Sequence, residues 1–374
     1  MNRKPFQFGV PVSDEHFIGR ENEQKRLAAN LKSGINTILM SPRRWGKTSL
    51  INKVAKEIAT ENILVVKMDA FACRSEYDFY NMFSEEILKQ TTSKIEEWKD
   101  LAKGFIERLT PKVSFSPEPG IELSLSLGIT PKTHSPEEVL NLPEIIAKRK
   151  GCHIVVCIDE FQQVGEFADS LTMQKRMRSV WQHQKSVSYC FYGSKMHMMT
   201  NFFQKKSYPF YKFGDILYLK TIPTETWIPY IKGRFNEYEK VINDTQIAEI
   251  CNIVEHNSSY VQQLSWLVLL NTEKFVSSDI ILASLQDLID QNSITFIQQT
   301  QSLTSYQINF LTAILDGVSN GFTRAEILEK YNLGTAANIS RLKTALIEKE
   351  LIEITETGVK IGDPVLRMWL HNTF

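Results

Sequence analysis

Three short stretches hold residues whose types and spacing fit phosphate chemistry. The first is Ser41-Pro42-Arg43-Arg44-Trp45-Gly46-Lys47-Thr48, which follows the apolar run NTILM and precedes TSLINKVAKEIA. A loop between a strand and a helix N-terminus aims free backbone N–H groups and the positive end of the helix dipole at an anion. In that frame Lys47 reaches β and γ phosphates, the Thr48 hydroxyl ligates magnesium, and Gly46 lets the backbone approach without a side chain in the way. Ser49 continues the same turn. Ser41 stands where the pattern G-x-x-x-x-G-K-[ST] has its first glycine.

The second stretch, Ile154-Val155-Val156-Cys157-Ile158-Asp159-Glu160, is an apolar run ending in two carboxylates. Beside a phosphate loop, Asp159 would hold Mg2+, partly through water. Glu160 would orient and deprotonate a water attacking the γ phosphate. A glutamate beside the magnesium aspartate favours hydrolysis over transfer to a second substrate. The third stretch is Cys190-Phe191-Tyr192-Gly193-Ser194, another apolar run ending in a small polar residue. Ser194 either hydrogen-bonds the γ phosphate or attacking water, or caps the helix that follows.

These groups need elements to position them. Apolar runs at Asn36–Met40, Ile63–Met68, His153–Ile158, Ser188–Tyr192 and Ile216–Leu219 alternate with longer amphipathic stretches, the pattern of a parallel sheet covered by helices. Between the second and third runs, KVSFSPEPGIELSLSLGI carries turn residues between alternating flanks and predicts a hairpin insertion over about 111–131. After Pro223 strands give way to predicted helices at Glu225–Glu239, Asp244–His256, Ser258–Asn271 and Asp279–Gln291. From Leu303 the order is helix, short helix, a third helix over Ala336–Lys349, and two strands around Thr357-Gly358. That is the winged-helix order. The division is then a nucleotide-binding core at 1–222, a helical lid at 223–300 and a winged helix at 301–374.

Composition bounds the rest. The chain has 374 residues, 43 Lys+Arg against 43 Asp+Glu, and no global charge to draw nucleic acid or anionic membrane. Neither a secretion signal nor a run of roughly 18 apolar residues stands out, so no membrane role is expected and the reading is cytoplasmic. The five cysteines (Cys73, Cys152, Cys157, Cys190, Cys251) form no CxxC pair, and reduced core thiols are expected.

In this order the segments resemble the archaeal-type P-loop ATPases of the AAA+ and STAND groups. The similarity runs through PFQFGVPVSDEHFIGRENEQKRL, SPRRWGKTSLI, VVCIDEFQQV, FYGSKMHMMTNFF with YPFYKFGDI, HNSSYVQQLSWLV and DPVLRMWL. In that family a serine at the first glycine position is a familiar variant. The resemblance implies an α/β P-loop fold with sheet order 5-1-4-3-2, a lid, a winged helix, and ATP with Mg2+ as ligands. It implies that Phe17, Ile18, Gly19 and Arg20 border the adenine and that Ser194 is the first sensor. No lid arginine is evident beyond Arg234, and Arg176, Arg178 and Lys212 are the candidates for a finger supplied by a neighbour.

The winged-helix region offers Arg324, Lys330, Arg341, Lys343, Lys349, Lys360 and Arg367 against eight acids, a poor balance for neutralising DNA phosphates. Nucleotide-state-coupled packing is the expectation there, with Asp363, Pro364, Arg367 and Trp369 as docking residues and DNA binding the alternative. The sequence therefore predicts a slow ATPase switch with a protein partner, self-association being open.

Overall fold

The structure, a computed structural model, describes residues 4–12, 14–92, 112–114, 124–126 and 135–374, with 112–114 and 124–126 described by their backbone alone. The chain divides into two compact units, Arg20–Lys220 and a second made of the residues up to Gly19 together with Thr221–Phe374.

The first unit is a sheet with helices. Its strands are β1 (Thr37–Met40), β2 (Ile63–Asp69), the short pair β3 (Lys112–Ser114) and β4 (Ser124–Ser126), then β5 (His153–Asp159), β6 (Val187–Gly193) and β7 (Asp215–Tyr218). The helices are α1 (Glu21–Lys32), α2 (Lys47–Ile58), α3 (Glu76–Thr91), α4 (Pro136–Leu140), α5 (Leu142–Lys150), α6 (Ser170–Trp181) and α7 (Met196–Gln204). Five strands pair in parallel in the order β2-β5-β6-β1-β7, which is 5-1-4-3-2 when only the sheet's own strands are counted. Every residue of β1 and β6 is buried, as central strands covered on both faces require. The edge strand β2 alternates at its end and exposes Lys67 and Asp69.

Parallel pairing brings the strand ends into line. Met40 is the register partner of Gly193, Ile158 lies beside Phe191, and Asp69 beside Asp159. Whatever follows Met40, Ile158 and Gly193 therefore leaves the sheet at the same carboxyl edge, where α/β folds bind ligands. A stacked aromatic cluster beneath it, with Trp181, Tyr189 and Phe191 in near-parallel array, fixes the middle of the sheet. β3 and β4 pair antiparallel in the expected hairpin insertion, and the rest of that insertion lies outside the described residues.

The second unit is helical with a small two-stranded sheet: α8 (Thr224–Asn236), α9 (Asp244–Ile253), α10 (Ser258–Asn271), α11 (Ser278–Thr300), α12 (Ser305–Leu315), α13 (Ala325–Lys330), α14 (Ala336–Glu348), β8 (Ile352–Thr355), β9 (Gly358–Ile361) and α15 (Pro364–Thr373). The expected helix Asp279–Gln291 runs on to Thr300. No Gly or Pro interrupts it, and Leu288, Ile289, Phe296 and Thr300 extend its buried stripe. The terminal segment, expected only to dock, is itself a helix: Asp363 accepts from the backbone N–H of Val365 and Leu366, and Pro364 occupies the first turn.

One hydrophobic core runs through this unit, from Phe6 through Trp227 and Tyr260 to Phe310 and Leu370. Polar contacts join its helices to the winged-helix segment. Tyr260 donates to Asp363 at 2.7 Å, Glu255 pairs with Arg367 and with Lys360, and the Phe296 and Trp369 rings lie 5.8 Å apart. Glu255 and His256 are consecutive residues at positive φ (48° and 56°), so the turn between α9 and α10 is strained where those ion pairs form. Among the described residues no helix is long and apolar enough to cross a membrane.

Candidate phosphate and magnesium site

Residues 41–46 link the buried end of β1 to α2, and the loop reverses through two left-handed residues, Arg44 (φ 66°) and Gly46 (φ 88°). Gly46 is the N-cap of α2, supplies no side-chain cap, and would find open space around an added Cβ. The requirement for glycine there is thus backbone conformation rather than packing. A helix that starts at this point aims its first turn at an anion.

Lys47 is buried, and its ammonium donates to the carbonyls of Ser41 (2.8 Å) and Pro42 (2.9 Å), with Ser41 Oγ at 3.4 Å. Ser41 in place of glycine therefore adds an oxygen beside the lysine. Thr48 Oγ1 donates to Asp159 Oδ2 at 3.1 Å, which unites the first turn of α2 with the end of β5. Ser49 is buried in the same turn, whereas Arg43 and Arg44 are exposed and Pro42 and Trp45 half-buried.

Burial pushes the Asp159 carboxyl up to about 6, and the charges of Glu160 and Asp69 add to the effect. The Glu160 N–H, donating to Asp159 Oδ1 at 2.8 Å, and the Thr48 hydroxyl act in the opposite direction. A partly desolvated carboxylate with a threonine hydroxyl at its side fits a small divalent cation, whose charge would offset the crowding of acids. Thr48 and Asp159 are the residues that would hold magnesium, with water completing the shell.

Glu160 leaves β5 in a left-handed conformation (φ 46°, ψ 40°), which turns its side chain toward β6. Its Oε2 accepts from Ser194 Oγ (3.1 Å), Ser194 N (3.4 Å) and Gln162 Nε2. Arg43 Nε in turn donates to Ser194 Oγ at 3.3 Å. Ser194 makes no cap: α7 starts at Met196, its N-cap is Lys195, and no side chain caps it. A chain of hydrogen bonds thus runs from the phosphate loop through Ser194 to Glu160.

Arg20 is buried and does not project freely. Its Nη2 donates to the Trp45 carbonyl at 3.0 Å and its Nη1 to the Lys220 carbonyl, with Glu23 at 3.4 Å. Desolvation lowers its pKa, and Glu23 opposes that. Phe17, Ile18 and Gly19 belong to the other unit.

The three finger candidates, Arg176, Arg178 and Lys212, and the lid candidate Arg234 all have intrachain partners. Arg176 pairs with Glu76 and Glu137, Arg178 lies 4.5 Å over the Phe213 ring, Arg234 pairs with Glu237 and the Glu15 carbonyl, and Lys212 lies over Tyr211. The cysteines are all free thiols, and Cys157 and Cys190 are register partners within the core. Sequence reasoning passed over Asp69, Gln162 and Gly193. The visible signal for the last two was their spacing, two residues after Glu160 and one before Ser194.

Residues 45–166 match the KAP family P-loop domain, and residues 294–372 match a probable winged helix domain. No curated protein matches the chain. Among solved structures it is similar to a Walker-type ATPase of Pyrococcus abyssi, at 18% identity and a TM-score of 0.68 over 98% of this chain and 100% of that one. It is also similar to the Aeropyrum pernix ORC2 protein in its ADPNP-ADP complexes, at 13% identity and a TM-score of 0.56 over 98% of each chain. The Aeropyrum pernix ORC1 protein in complex with DNA gives 13% identity and a TM-score of 0.50 over 97% of this chain and 94% of that one. At such identities the likeness is one of fold, and what it establishes is an α/β P-loop NTPase fold that carries a C-terminal winged helix.

Proposed function

We propose that the chain binds ATP with magnesium at residues 41–49 and hydrolyses it slowly, as a conformational switch of the AAA+/STAND type. The observation that carries this reading is the convergence on one sheet edge of Lys47, the Thr48–Asp159 pair and the Ser194–Glu160 pair. Bound magnesium would neutralise charge on the phosphates and help align them. Glu160 takes a proton from the attacking water as the water oxygen forms its bond to the γ phosphorus. The bond to the bridging oxygen breaks, and ADP leaves with the electron pair. We assign Ser194 and Arg43, which are hydrogen-bonded to each other, to the γ phosphate, and Phe17, Ile18, Gly19 and Arg20 to the adenine side.

Slow turnover is expected because the finger candidates Arg176 and Arg178 are engaged within the chain. An arginine finger where present accelerates such reactions by about 10³–10⁵. The boundaries we favour are a core to residue 222, a lid at 223–300 and a winged helix from 301, with a protein partner reading the nucleotide state. Phosphate release from wild type and Glu160→Gln tests the reading, and equal rates would remove Glu160 from the mechanism.

A second reading, nucleotide-regulated DNA binding, is favoured by the exposed face of α14, where Thr335, Ala336, Ala337, Ser340, Arg341 and Thr344 are small or polar. Retention on duplex DNA that falls with salt and changes between ATP and ADP would support it. Retention indifferent to Arg341→Ala would count against α14 as the reading helix.

A further inference from the structure

Gln162 is a side chain that neither phosphate binding nor packing accounts for. It is only 3% exposed, yet its Oε1 has no hydrogen-bond partner among the described residues. A buried carbonyl oxygen left in that state destabilises the fold, since its lost hydration is not replaced. Leucine or methionine would fill the same volume without that cost. The other end of the amide explains the choice, because Nε2 donates to Glu160 Oε2.

The neighbouring strand makes room for this arrangement. A Cβ added to Gly193 would lie 1.8 Å from Gln162 Oε1 and 2.9 Å from its Cδ, so no larger residue can stand there while the amide keeps its place. Gly193 is not among the residues at positive φ. Its contribution is therefore space at the end of β6, not backbone freedom. A residue of the 3₁₀ turn after β5 and the last residue of β6, each unexplained alone, account for each other.

We propose that Gln162 is a positioning residue for Glu160, with Gly193 as the clearance it needs; this rests on the reading of Glu160 as the group that activates water. Three donors, Gln162 Nε2, Ser194 N and Ser194 Oγ, converge on Oε2. In this reading Glu160 Oε1 is the oxygen left for the attacking water. Ser194 is also the acceptor for Arg43, so an arriving phosphate competes for it. Gln162, by contrast, is buried and has no link to Arg43. The amide acts on kcat through orientation, since a catalytic group misplaced by about 1 Å costs on the order of 100-fold.

The test compares the full-length wild type, Glu160→Gln, Gln162→Leu, Gly193→Ala and the double variant Gln162→Leu/Glu160→Gln in single-turnover MgATP hydrolysis, with nucleotide affinity and melting temperature measured on each. Gln162→Leu is close to isosteric and serves where Gly193→Ala fails to fold. The expected result is a roughly 10- to 100-fold loss of rate in Gln162→Leu at unchanged MgATP affinity, and no further loss when it is added to Glu160→Gln. Wild-type turnover that Glu160→Gln abolishes but Gln162→Leu leaves intact would overturn the role of Gln162 alone. A loss that persists in full on the Glu160→Gln background, or that tracks affinity, would overturn it as well. No turnover in wild type would remove the hydrolytic reading and this inference together.

Discussion

Thr48 Oγ1 stands 3.1 Å from Asp159 Oδ2, so the first turn of α2 and the last residue of β5 share one hydrogen bond where a cation would sit. Thr48→Ala removes the hydroxyl and leaves Asp159 in place. The expected outcome is ATP affinity that no longer responds to magnesium, followed by titration with and without the metal. Thr48→Ser, which keeps the hydroxyl, should restore the response.

Lys47 is the buried cation at the end of the loop, and its ammonium is held by the Ser41 and Pro42 carbonyls. Charged hydrogen bonds contribute about 1.5–3 kcal/mol each. Lys47→Ala should therefore weaken ATP binding by roughly two orders of magnitude. Calorimetry that returned wild-type affinity would sink the assignment of the site.

Asp159 should cost the nucleotide-free protein stability. Its carboxyl is raised from the ordinary 3.8 to about 6, chiefly by burial. Between those values the unfolded chain gives up the proton and the folded one keeps it. The penalty is absent below about pH 4, grows as pH rises to about 6, and is complete above. Asp159→Asn should accordingly raise stability by about 1–3 kcal/mol at neutral pH and by nothing near pH 4. Denaturant titrations across that range check both halves, and the same variant should lose magnesium-dependent ATP binding.

Tyr260 and Asp363 are 2.7 Å apart and join α10 to the start of α15. Tyr260→Phe keeps the packing of a ring that is fully buried and removes the bond, at a cost of about 1 kcal/mol. Hydrogen exchange should quicken first in α15. The Glu255 ion pairs are partly exposed, and Glu255→Gln should change stability far less.

Much of the fold was legible because buried strands and phosphate loops leave local marks. Apolar runs located all five strands of the parallel sheet within a residue or two, and the loop was identified by its place between β1 and α2 as much as by its lettering. The 5-1-4-3-2 order came from resemblance, since periodicity does not say which strands are neighbours. Helix ends were harder. No Gly or Pro follows Gln291 to mark an end, and α11 continued while its buried stripe did.

The candidate site was legible only in part, for a related reason. Asp159, Glu160 and Ser194 follow apolar strands and stand out by contrast. Gln162 lies in a 3₁₀ turn where a polar residue is unremarkable, and its meaning depends on Gly193, 31 positions later by subtraction of the residue numbers and one strand away. A sequence shows such a pair only as an ordinary glutamine and an ordinary glycine. Asp69 is similar, since its closeness to Asp159 is a matter of register between β2 and β5.

The chain passes between its two units at Gly19–Arg20 and at Lys220–Thr221. Arg20 stands at the first passage, and its guanidinium grips the last carbonyl before the second while holding the Trp45 carbonyl of the loop. One guanidinium thus binds the loop to the residue that ends the unit. Lysine has no planar fork with which to hold two carbonyls in fixed directions. Within this unit the first residue, the last residue and the phosphate loop are therefore tied together at one side chain.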